Sequence, residues 1–176
     1  MLPKSYSLLS SRCKFQADGG VVCPMCYECG EFVIKPYFLL SEELKTHVVS
    51  QLKCCWKDYT DAYIEQNWSF GDMLYVAVDK VTDSVIGTVA IDRKNFHPFI
   101  STVYVTPDRR NKGFARHLLA FAEVFIFYVI KYDEVRLWCD EDLLDFYFAF
   151  GYAVEDMQGT KSILFKKLIE HSTFLI

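Results

Sequence analysis

Four cationic side chains surround one glycine in the segment VTPDRRNKGFARHLL, residues 105–119. They belong to Arg109, Arg110, Lys112 and Arg116. Gly113 lies where a strand-like run gives way to an apolar pattern of helical period, so we expect it to open a helix. The main-chain N–H groups of a first helical turn lack partners inside the helix, and with the helix dipole they attract anions, phosphate above all. The segment therefore predicts an anion site, with a solvated basic turn as the alternative.

The glycine spacing excludes two familiar phosphate loops. A Walker loop needs Gly-Lys-Ser or Gly-Lys-Thr, and a dinucleotide loop needs three glycines after the first strand; neither pattern is present. The residues at this position are Arg110-Asn111-Lys112-Gly113-Phe114-Ala115. This segment resembles the pyrophosphate-binding motif of the GNAT superfamily of N-acetyltransferases, Arg/Gln-x-x-Gly-x-Gly/Ala.

A second stretch carries the same resemblance. CDEDLLDFYFAFGY is similar to the family's Asn-x-x-Ala-x-x-x-Tyr-x-x-x-Gly-Phe segment, with Tyr147 at the tyrosine, Gly151 at the glycine and Tyr152 at the aromatic position. Asp140 stands where asparagine is usual, and Leu143 where alanine is usual. These two departures affect the helix that would lie beside the pantetheine arm of coenzyme A.

The resemblance implies where acetyl-CoA, or another acyl-CoA, would bind. The pantetheine arm would pair with one strand edge, in an opening between two strands that splay apart at their C-terminal ends. The pyrophosphate would rest on the main-chain amides of residues 111–115, and either Arg109 or Arg116 would reach the remaining phosphate. The implied cofactor-binding residues are Val103, Tyr104, Val105, Arg110, Asn111, Lys112, Gly113, Phe114, Ala115, Arg116 and Asp140.

The resemblance also implies direct attack of a neutral amine on the thioester, where holding both reactants together supplies much of the rate. Tyr147 is the implied general acid for the leaving thiolate, and an ordinary core tyrosine is the alternative. The strand FISTVYV contains no acid, so Asp92 and His97 in the loop before it are the nearest candidates for the base. A water chain that ends on a more distant acid is an equally acceptable base.

An acidic stretch contains the second of the two splayed strands, residues 134–139, and continues into the helix after it. Residues 133–156 hold eight acids and one base, Arg136. The acids are Asp133, Glu134, Asp140, Glu141, Asp142, Asp145, Glu155 and Asp156. A cationic acceptor, such as a polyamine, a lysine side chain or a basic peptide, would suit this charge, and an ordinary solvated surface is the alternative.

The strand-like and helical runs of sequence that must position these residues predict an α/β (α+β) fold. Strand-like runs and helical runs alternate over residues 31–168 in the order β-α-α-β-β-β-α-β-α-β-β, which matches the GNAT family. Ser41 is expected to cap the first helix, and the helix after Gly113 to place Phe114 on its apolar face and Glu123 on its polar face. The resemblance implies a central mixed, mostly antiparallel sheet of about seven strands, with helices on both faces.

The N-terminal segment is rich in cysteine. Residues 1–30 form a predicted appendage to the domain at residues 31–176, and CPMCYEC spaces three cysteines like a metal-binding turn. The candidate zinc ligands are Cys13, Cys23, Cys26 and Cys29, with His47, Cys54 or Cys55 as substitutes. A second Cys-x-x-Cys or His pair is absent from the sequence, so free thiols on an arm are the alternative.

The bulk composition narrows the class of protein. The chain has 176 residues, a net charge of −4 and 52% hydrophobic residues, which predicts one main domain and disfavours nucleic-acid or membrane partners. The start lacks the apolar core of a signal peptide, so we expect a cytoplasmic enzyme, either monomer or homodimer. The prediction is an acyl-CoA-dependent N-acyltransferase. The alternatives are a non-catalytic acyl-CoA-sensing or protein-interaction module on the same fold and, less favoured by charge, a zinc-ribbon-like nucleic-acid accessory.

Overall fold

One sheet of eight strands forms the centre of the molecule, whose computed structural model describes residues 27–60, 62–63, 73–92 and 97–168. The strands are β1 (Tyr27–Cys29), β2 (Phe32–Pro36), β3 (Met73–Asp79), β4 (Val85–Asp92), β5 (Phe99–Val105), β6 (Glu134–Asp140), β7 (Ala153–Gln158) and β8 (Lys161–Lys167). Their order in the sheet is β1-β2-β3-β4-β5-β6-β8-β7, and only the pair of β5 and β6 is parallel. The predicted mixed, mostly antiparallel fold is confirmed. Strand β1 adds to it, and it lies on the N-terminal side of the predicted boundary at residue 30.

Three helices lie within the described residues, and each follows a recognisable cap or turn. In α1 (Glu42–Cys55) the Ser41 side chain accepts a hydrogen bond from the Leu44 main-chain N at 3.3 Å, so the predicted cap is confirmed. Helix α2 (Phe114–Phe125) starts after Gly113 and continues into a π-helical turn, Ile126–Ile130. Helix α3 (Leu144–Phe148) follows β6 through a 3-10 turn, Glu141–Leu143. Of the predicted second helix near residues 59–66, residues 62 and 63 are helical and most of the rest lies outside the described residues.

The sheet separates two apolar cores. Helix α1 packs on one face through Val48 and Leu52, and α2 packs on the other through Leu118 and Phe121, among others. We call these the α1 face and the α2 face. Because both helices bury apolar side chains on the strands between them, the positions of β4 and β5 are fixed from two sides.

The register between β4 and β5 breaks at one residue. Ala90 pairs with Ser101 and Thr88 with Tyr104, so β5 carries one residue more than β4 between these pairs. Thr102 is at this bulge and has a φ of 54°, in the left-handed region. On its other side β5 pairs with β6 only at Phe99 and Ile100, within the described strands. The C-terminal halves of β5 and β6 therefore separate, as the resemblance implied.

Glu123 corrects one prediction. It was expected on the polar face of its helix, but it is 5% exposed and faces the core. The Tyr152 hydroxyl donates to its Oε1 at 2.9 Å, and Lys166 Nζ donates to its Oε2 at 2.7 Å. Both carboxylate oxygens have partners, which is the condition under which a charged group stays buried.

Among the described helices, none is long and apolar enough to cross a lipid bilayer.

Candidate functional site

The turn around Gly113 leaves open space directly before α2. Gly113 has a φ of 86° and a ψ of 0°, a left-handed conformation that suits glycine, and a Cβ added to it would meet no atom of the described residues within 4 Å. No side chain in the described part of the chain caps α2, so the N–H groups at the very start of the helix face this space without a side-chain acceptor from these residues. The site therefore has both the donors and the room that an anionic group needs.

The four cations around this turn differ in what they contact. Arg109 pairs with the Asp79 carboxylate at 3.1 Å and with that of Asp108 at 3.3 Å. Arg110 Nε donates to the Val105 carbonyl at 3.1 Å, and Lys112 Nζ donates to the Asp108 carbonyl at 2.9 Å. Both of these bonds end on main-chain oxygens, so the two positive charges remain available to an anion. Arg109 instead is held by carboxylates.

Asp79, a partner of Arg109, is itself held at the turn between β3 and β4. Its Oδ1 accepts main-chain hydrogen bonds from Val81 at 2.9 Å and Thr82 at 3.0 Å, which closes the turn between β3 and β4. These two bonds, and after them the charge of Arg109, hold the pKa of the Asp79 carboxyl below its ordinary value. Arg109 is therefore part of a structural pair. Arg116 lies over the ring of Phe150, with 5.2 Å from its Cζ to the ring centroid.

The edge of β5 that faces β6 is unpaired beyond Ile100 in the described strands. Val103 and Val105 pack against the core on the α2 face, whereas Tyr104 joins the core on the α1 face. The main chain of residues 103–105 thus runs along the opening that leads to Gly113. An extended ligand could add to this edge as another strand would.

Tyr147 lies in α3, the helix that follows β6. Strand β6 forms the other side of the same opening. Tyr147 is 6% exposed, and its ring contacts those of Phe146 and Tyr152 at centroid distances of 5.0 and 5.9 Å. Burial, and after it the nearby Cys139 thiol, raises the pKa of Tyr147 to about 12. The hydroxyl therefore keeps its proton at neutral pH and can act as a hydrogen-bond donor.

The structure does not bring Asp92 and His97 to the end of β6 that leads to Tyr147. Asp92 pairs with Phe99 at the start of β5. His97 Nδ1 is 2.8 Å from Glu134 Oε1, at the start of β6, and a seven-residue strand such as β6 is about 20 Å long. Asp140 is at the C-terminal end of β6, exposed, opposite Lys161 of β8. The cofactor-side residues are thus grouped around the opening, and the two base candidates lie at its closed end.

Sequence reasoning missed two contacts in this region. Glu134 appeared only as one acid among many, yet it pairs with His97. Tyr59 was not singled out, yet its hydroxyl is 2.7 Å from that of Thr102 at the bulge. The aromatic residues after α1 were a weak signal of a packed cluster, but nothing local connects them to a residue 43 positions away.

The zinc prediction falls mostly outside the described residues. Cys13, Cys23 and Cys26 lie in the part of the chain that is not described, and Cys29 ends β1. Within the described residues, no group of three or more His, Cys, Asp or Glu side chains could hold a metal ion. The substitute ligands Cys54 and Cys55 are free thiols exposed at the end of α1. The cysteine-rich arm stays a prediction.

A comparison with models of protein families gives one match. A model of the acetyltransferase (GNAT) family matches residues 41–152. No curated protein matches the chain in sequence.

Solved structures show the same fold at low sequence identity. Three of the similar ones are the PaiA N-acetyltransferase from Thermoplasma acidophilum in complex with coenzyme A, the Naa50 protein of Arabidopsis thaliana in complex with the bisubstrate analogue CoA-Ac-MVNAL, and mutant forms of the spermidine/spermine N-acetyltransferase SpeG from Vibrio cholerae. Their identities to this chain are 22%, 16% and 13%, and their TM-scores are 0.55, 0.62 and 0.60. The matches cover 74%, 79% and 77% of this chain and 81%, 100% and 94% of the other chains, in the same order.

Proposed function

The chain belongs to the acetyltransferase (GNAT) family, and we propose that it is an enzyme that transfers an acetyl group from acetyl-CoA directly to a primary amine in a ternary complex. The observation that carries this proposal is the continuity of two features. The unpaired edge of β5 leads to the open turn at Gly113, so one extended, anionic ligand can contact both. Acetyl-CoA has this form, with an acetyl thioester at one end of the pantetheine arm and, at the other, a pyrophosphate that carries the phosphorylated adenosine.

The donor substrate would be held mainly by main chain. Residues 103–105 would bond to the amides of the pantetheine arm, and the amides that open α2 would bind the pyrophosphate. Arg110 and Lys112 would add charge, since their present bonds end on carbonyl oxygens. Of the two candidates for the remaining phosphate, Arg116 is favoured because Arg109 is engaged with Asp79. Asp140 would border the pantetheine from the end of β6.

Tyr147 would stabilise the thiolate that leaves when the acetyl group is transferred. Its pKa of about 12 lies well above that of a thiol, about 8.5, so complete proton transfer from the tyrosine would be uphill. A hydrogen bond from its hydroxyl to the sulfur carries no such penalty. We therefore assign Tyr147 the part of a hydrogen-bond donor to the developing charge rather than a free acid.

The amine must lose a proton before or during its attack on the thioester. The proposed acceptor of this proton is His97, which is paired with Glu134. The carboxylate 2.8 Å from Nδ1 would stabilise the imidazolium that forms. Because this pair lies at the closed end of the opening, water would carry the proton to it. Asp92, at the start of the same strand pair, is the second candidate.

A cationic acceptor is the proposed substrate class. The turn and helix after β6 carry Asp140, Glu141, Asp142 and Asp145, and all four are exposed. The similar SpeG and Naa50 structures are a spermidine/spermine N-acetyltransferase and a complex with a peptide-containing bisubstrate analogue, which supports an amine on a small polycation or on a peptide. Equal rates for neutral amines and polycations at low salt would contradict this part of the proposal.

One experiment tests the enzyme directly. Acetyl-CoA binding is measured by calorimetry, and release of free thiol is then followed with spermidine, a lysine peptide and a peptide with a free N-terminus. We expect acetyl-CoA to bind and at least one amine to release thiol, with a lower turnover for Tyr147→Phe. Absence of acetyl-CoA binding would contradict the proposal.

A second candidate is a non-catalytic acyl-CoA sensor on the same fold. Asp140 and Leu143 depart from the family pattern, and neither Asp92 nor His97 lies at the end of β6 that leads to Tyr147. Binding of acetyl-CoA without thiol release on any amine would favour the sensor.

A further inference from the structure

Thr102 has a backbone conformation that its side chain disfavours. Its φ of 54° is rare for any residue other than glycine, and a β-branched side chain there is an outlier. Such strain persists only where surrounding contacts over-determine it. Thr102 is 7% exposed, so its contacts come from the protein.

Two hydroxyl groups from different parts of the chain contact Thr102. Thr88 Oγ1, in β4, donates to the Thr102 carbonyl at 2.8 Å. The Tyr59 hydroxyl, in the segment after α1, lies 2.7 Å from Thr102 Oγ1, and either of these two can donate. The first contact joins neighbouring strands, whereas the second brings a separate segment to the bulge.

An aromatic cluster fixes the position of Tyr59 itself. Its ring contacts that of Trp56 at a centroid distance of 5.3 Å and stacks on that of Tyr63 at 4.9 Å with 11° between the planes. Trp56 also contacts Tyr104, two residues beyond the bulge, at 6.3 Å. Tyr59 therefore reaches Thr102 from a support that also holds the next residues of β5.

The bulge decides which way the following residues face. Tyr104 enters the core on the α1 face because the extra residue resets the alternation of β5. If Thr102 relaxed to ordinary extended backbone and the extra residue were lost from the register, residues 103–105 would each turn to the opposite face. The edge that would bind the pantetheine arm would then be rearranged.

We infer that Tyr59 is a positioning residue for acetyl transfer: its hydrogen bond holds Thr102 in the bulge, and the bulge presents residues 103–105 to acetyl-CoA. This inference rests on the proposed function. It connects the segment after α1 to the donor site, so a change at Tyr59 acts on acetyl-CoA through Thr102 and not by direct contact.

Tyr59→Phe removes only the hydroxyl and keeps the ring stack. Loss of one hydrogen bond should weaken acetyl-CoA binding about 5-fold and raise KM for acetyl-CoA by a similar factor, with KM for the amine little changed. Tyr63→Phe is the matched control, because it removes a hydroxyl from the neighbouring ring, and it should bind acetyl-CoA as the unmodified protein does. Circular dichroism checks that each variant is folded.

Thr102→Gly supplies the rescue. Glycine adopts a positive φ freely, so the bulge no longer needs the Tyr59 hydroxyl. In the Thr102→Gly background, adding Tyr59→Phe should change acetyl-CoA affinity by less than about 2-fold, since the coupling between the two positions has been removed.

The outcomes separate the two hypotheses. If the unmodified protein binds no acetyl-CoA, the proposed function fails and this inference with it. If the unmodified protein binds acetyl-CoA and Tyr59→Phe binds it equally well, the inference alone is wrong. An equal loss on Tyr59→Phe in both backgrounds would also overturn it, because the hydroxyl would then act otherwise than through Thr102.

Discussion

The two splayed strands end in junctions of the same form and opposite charge. After β5 a 3-10 turn, Pro107–Arg109, leads to Gly113 and the twelve residues of α2. After β6 a 3-10 turn, Glu141–Leu143, leads directly into the five residues of α3, with no glycine before it. The first junction, which we call the basic junction, has four cations. The second has four acids, Asp140, Glu141, Asp142 and Asp145.

The difference shows how one opening can hold two unlike reactants. Only the first junction has an open left-handed glycine before a long helix, so it is the one that suits a pyrophosphate. The second buries Tyr147 and exposes acids, so it suits the reacting end and a cationic acceptor. The charges would draw each reactant to its own side.

Gly113→Leu should have the largest effect on acetyl-CoA binding. The side chain would fill the open space where the pyrophosphate is proposed to lie, and loss of two or more charge-assisted hydrogen bonds corresponds to at least about a 100-fold weaker affinity. Calorimetric titration with acetyl-CoA measures it.

Gly159→Leu is the control for backbone strain. Gly159 has a φ of 66°, and an added Cβ there also meets no atom within 4 Å, but it lies in the turn between β7 and β8. Both variants should lose similar stability, since each places a side chain at positive φ. Equal losses of acetyl-CoA affinity in the two variants would contradict the site at Gly113.

Tyr147→Phe should lower kcat about 100-fold and leave acetyl-CoA affinity nearly unchanged, because the hydroxyl acts on the leaving thiolate. Tyr152→Phe tests the neighbouring buried hydroxyl, which donates to Glu123. That change should lower thermal stability and spare kcat. If Tyr152→Phe affected kcat as strongly as Tyr147→Phe, a shared structural role would replace the catalytic one.

Three of the four cations of the basic junction should separate into two groups. Arg110→Gln and Lys112→Gln should each weaken acetyl-CoA binding by about 10-fold with little change in stability, since each removes a charged partner of the pyrophosphate. Arg109→Gln should instead lower the free energy of unfolding, because it leaves the Asp79 carboxylate without its cation. Affinity and chemical denaturation, measured on the same preparations, distinguish the groups. Uniform behaviour of all three variants would contradict the assignment of Arg109 to structure.

His117 should give the smallest effect, which is a change in how the stability of the fold depends on pH. Burial, and after it the charge of Arg116, lowers the pKa of His117 from 6.5. Below pH 6.5 the unfolded chain therefore binds a proton that the folded chain does not, and stability falls as the pH falls toward the lower pKa.

The variant His117→Gln should lose less stability between neutral and mildly acidic pH than the unmodified protein. The expected difference in Tm is less than about 4 °C, since one partly exposed group contributes only a small free energy. His47→Gln, at an exposed position of α1 where the imidazole contacts Gln51, is the control for the loss of an imidazole elsewhere in the chain. A steeper acid loss in His117→Gln would reverse the sign and contradict the burial argument.

Much of this comparison was visible in the sequence because it depends on local signals. The cap at Ser41 and the start of α2 after Gly113 follow from residue types within one turn, and both were predicted correctly. Burial of Glu123 was not, because its partners Tyr152 and Lys166 are 29 and 43 residues away. Hydrophobic period assigns a charged residue to the solvent side unless such distant partners are known. The pairing of Arg109 with Asp79 escaped prediction for the same reason.

The central claim is that the basic junction binds the phosphates of acetyl-CoA, and one titration tests it most directly. Acetyl-CoA and S-acetylpantetheine, which shares the thioester and lacks the phosphates, are titrated into the unmodified protein at low and high salt. We expect acetyl-CoA to bind at least about 100-fold more tightly, with an advantage that shrinks as salt rises. Equal affinities for the two ligands, or an advantage independent of salt, would contradict the account.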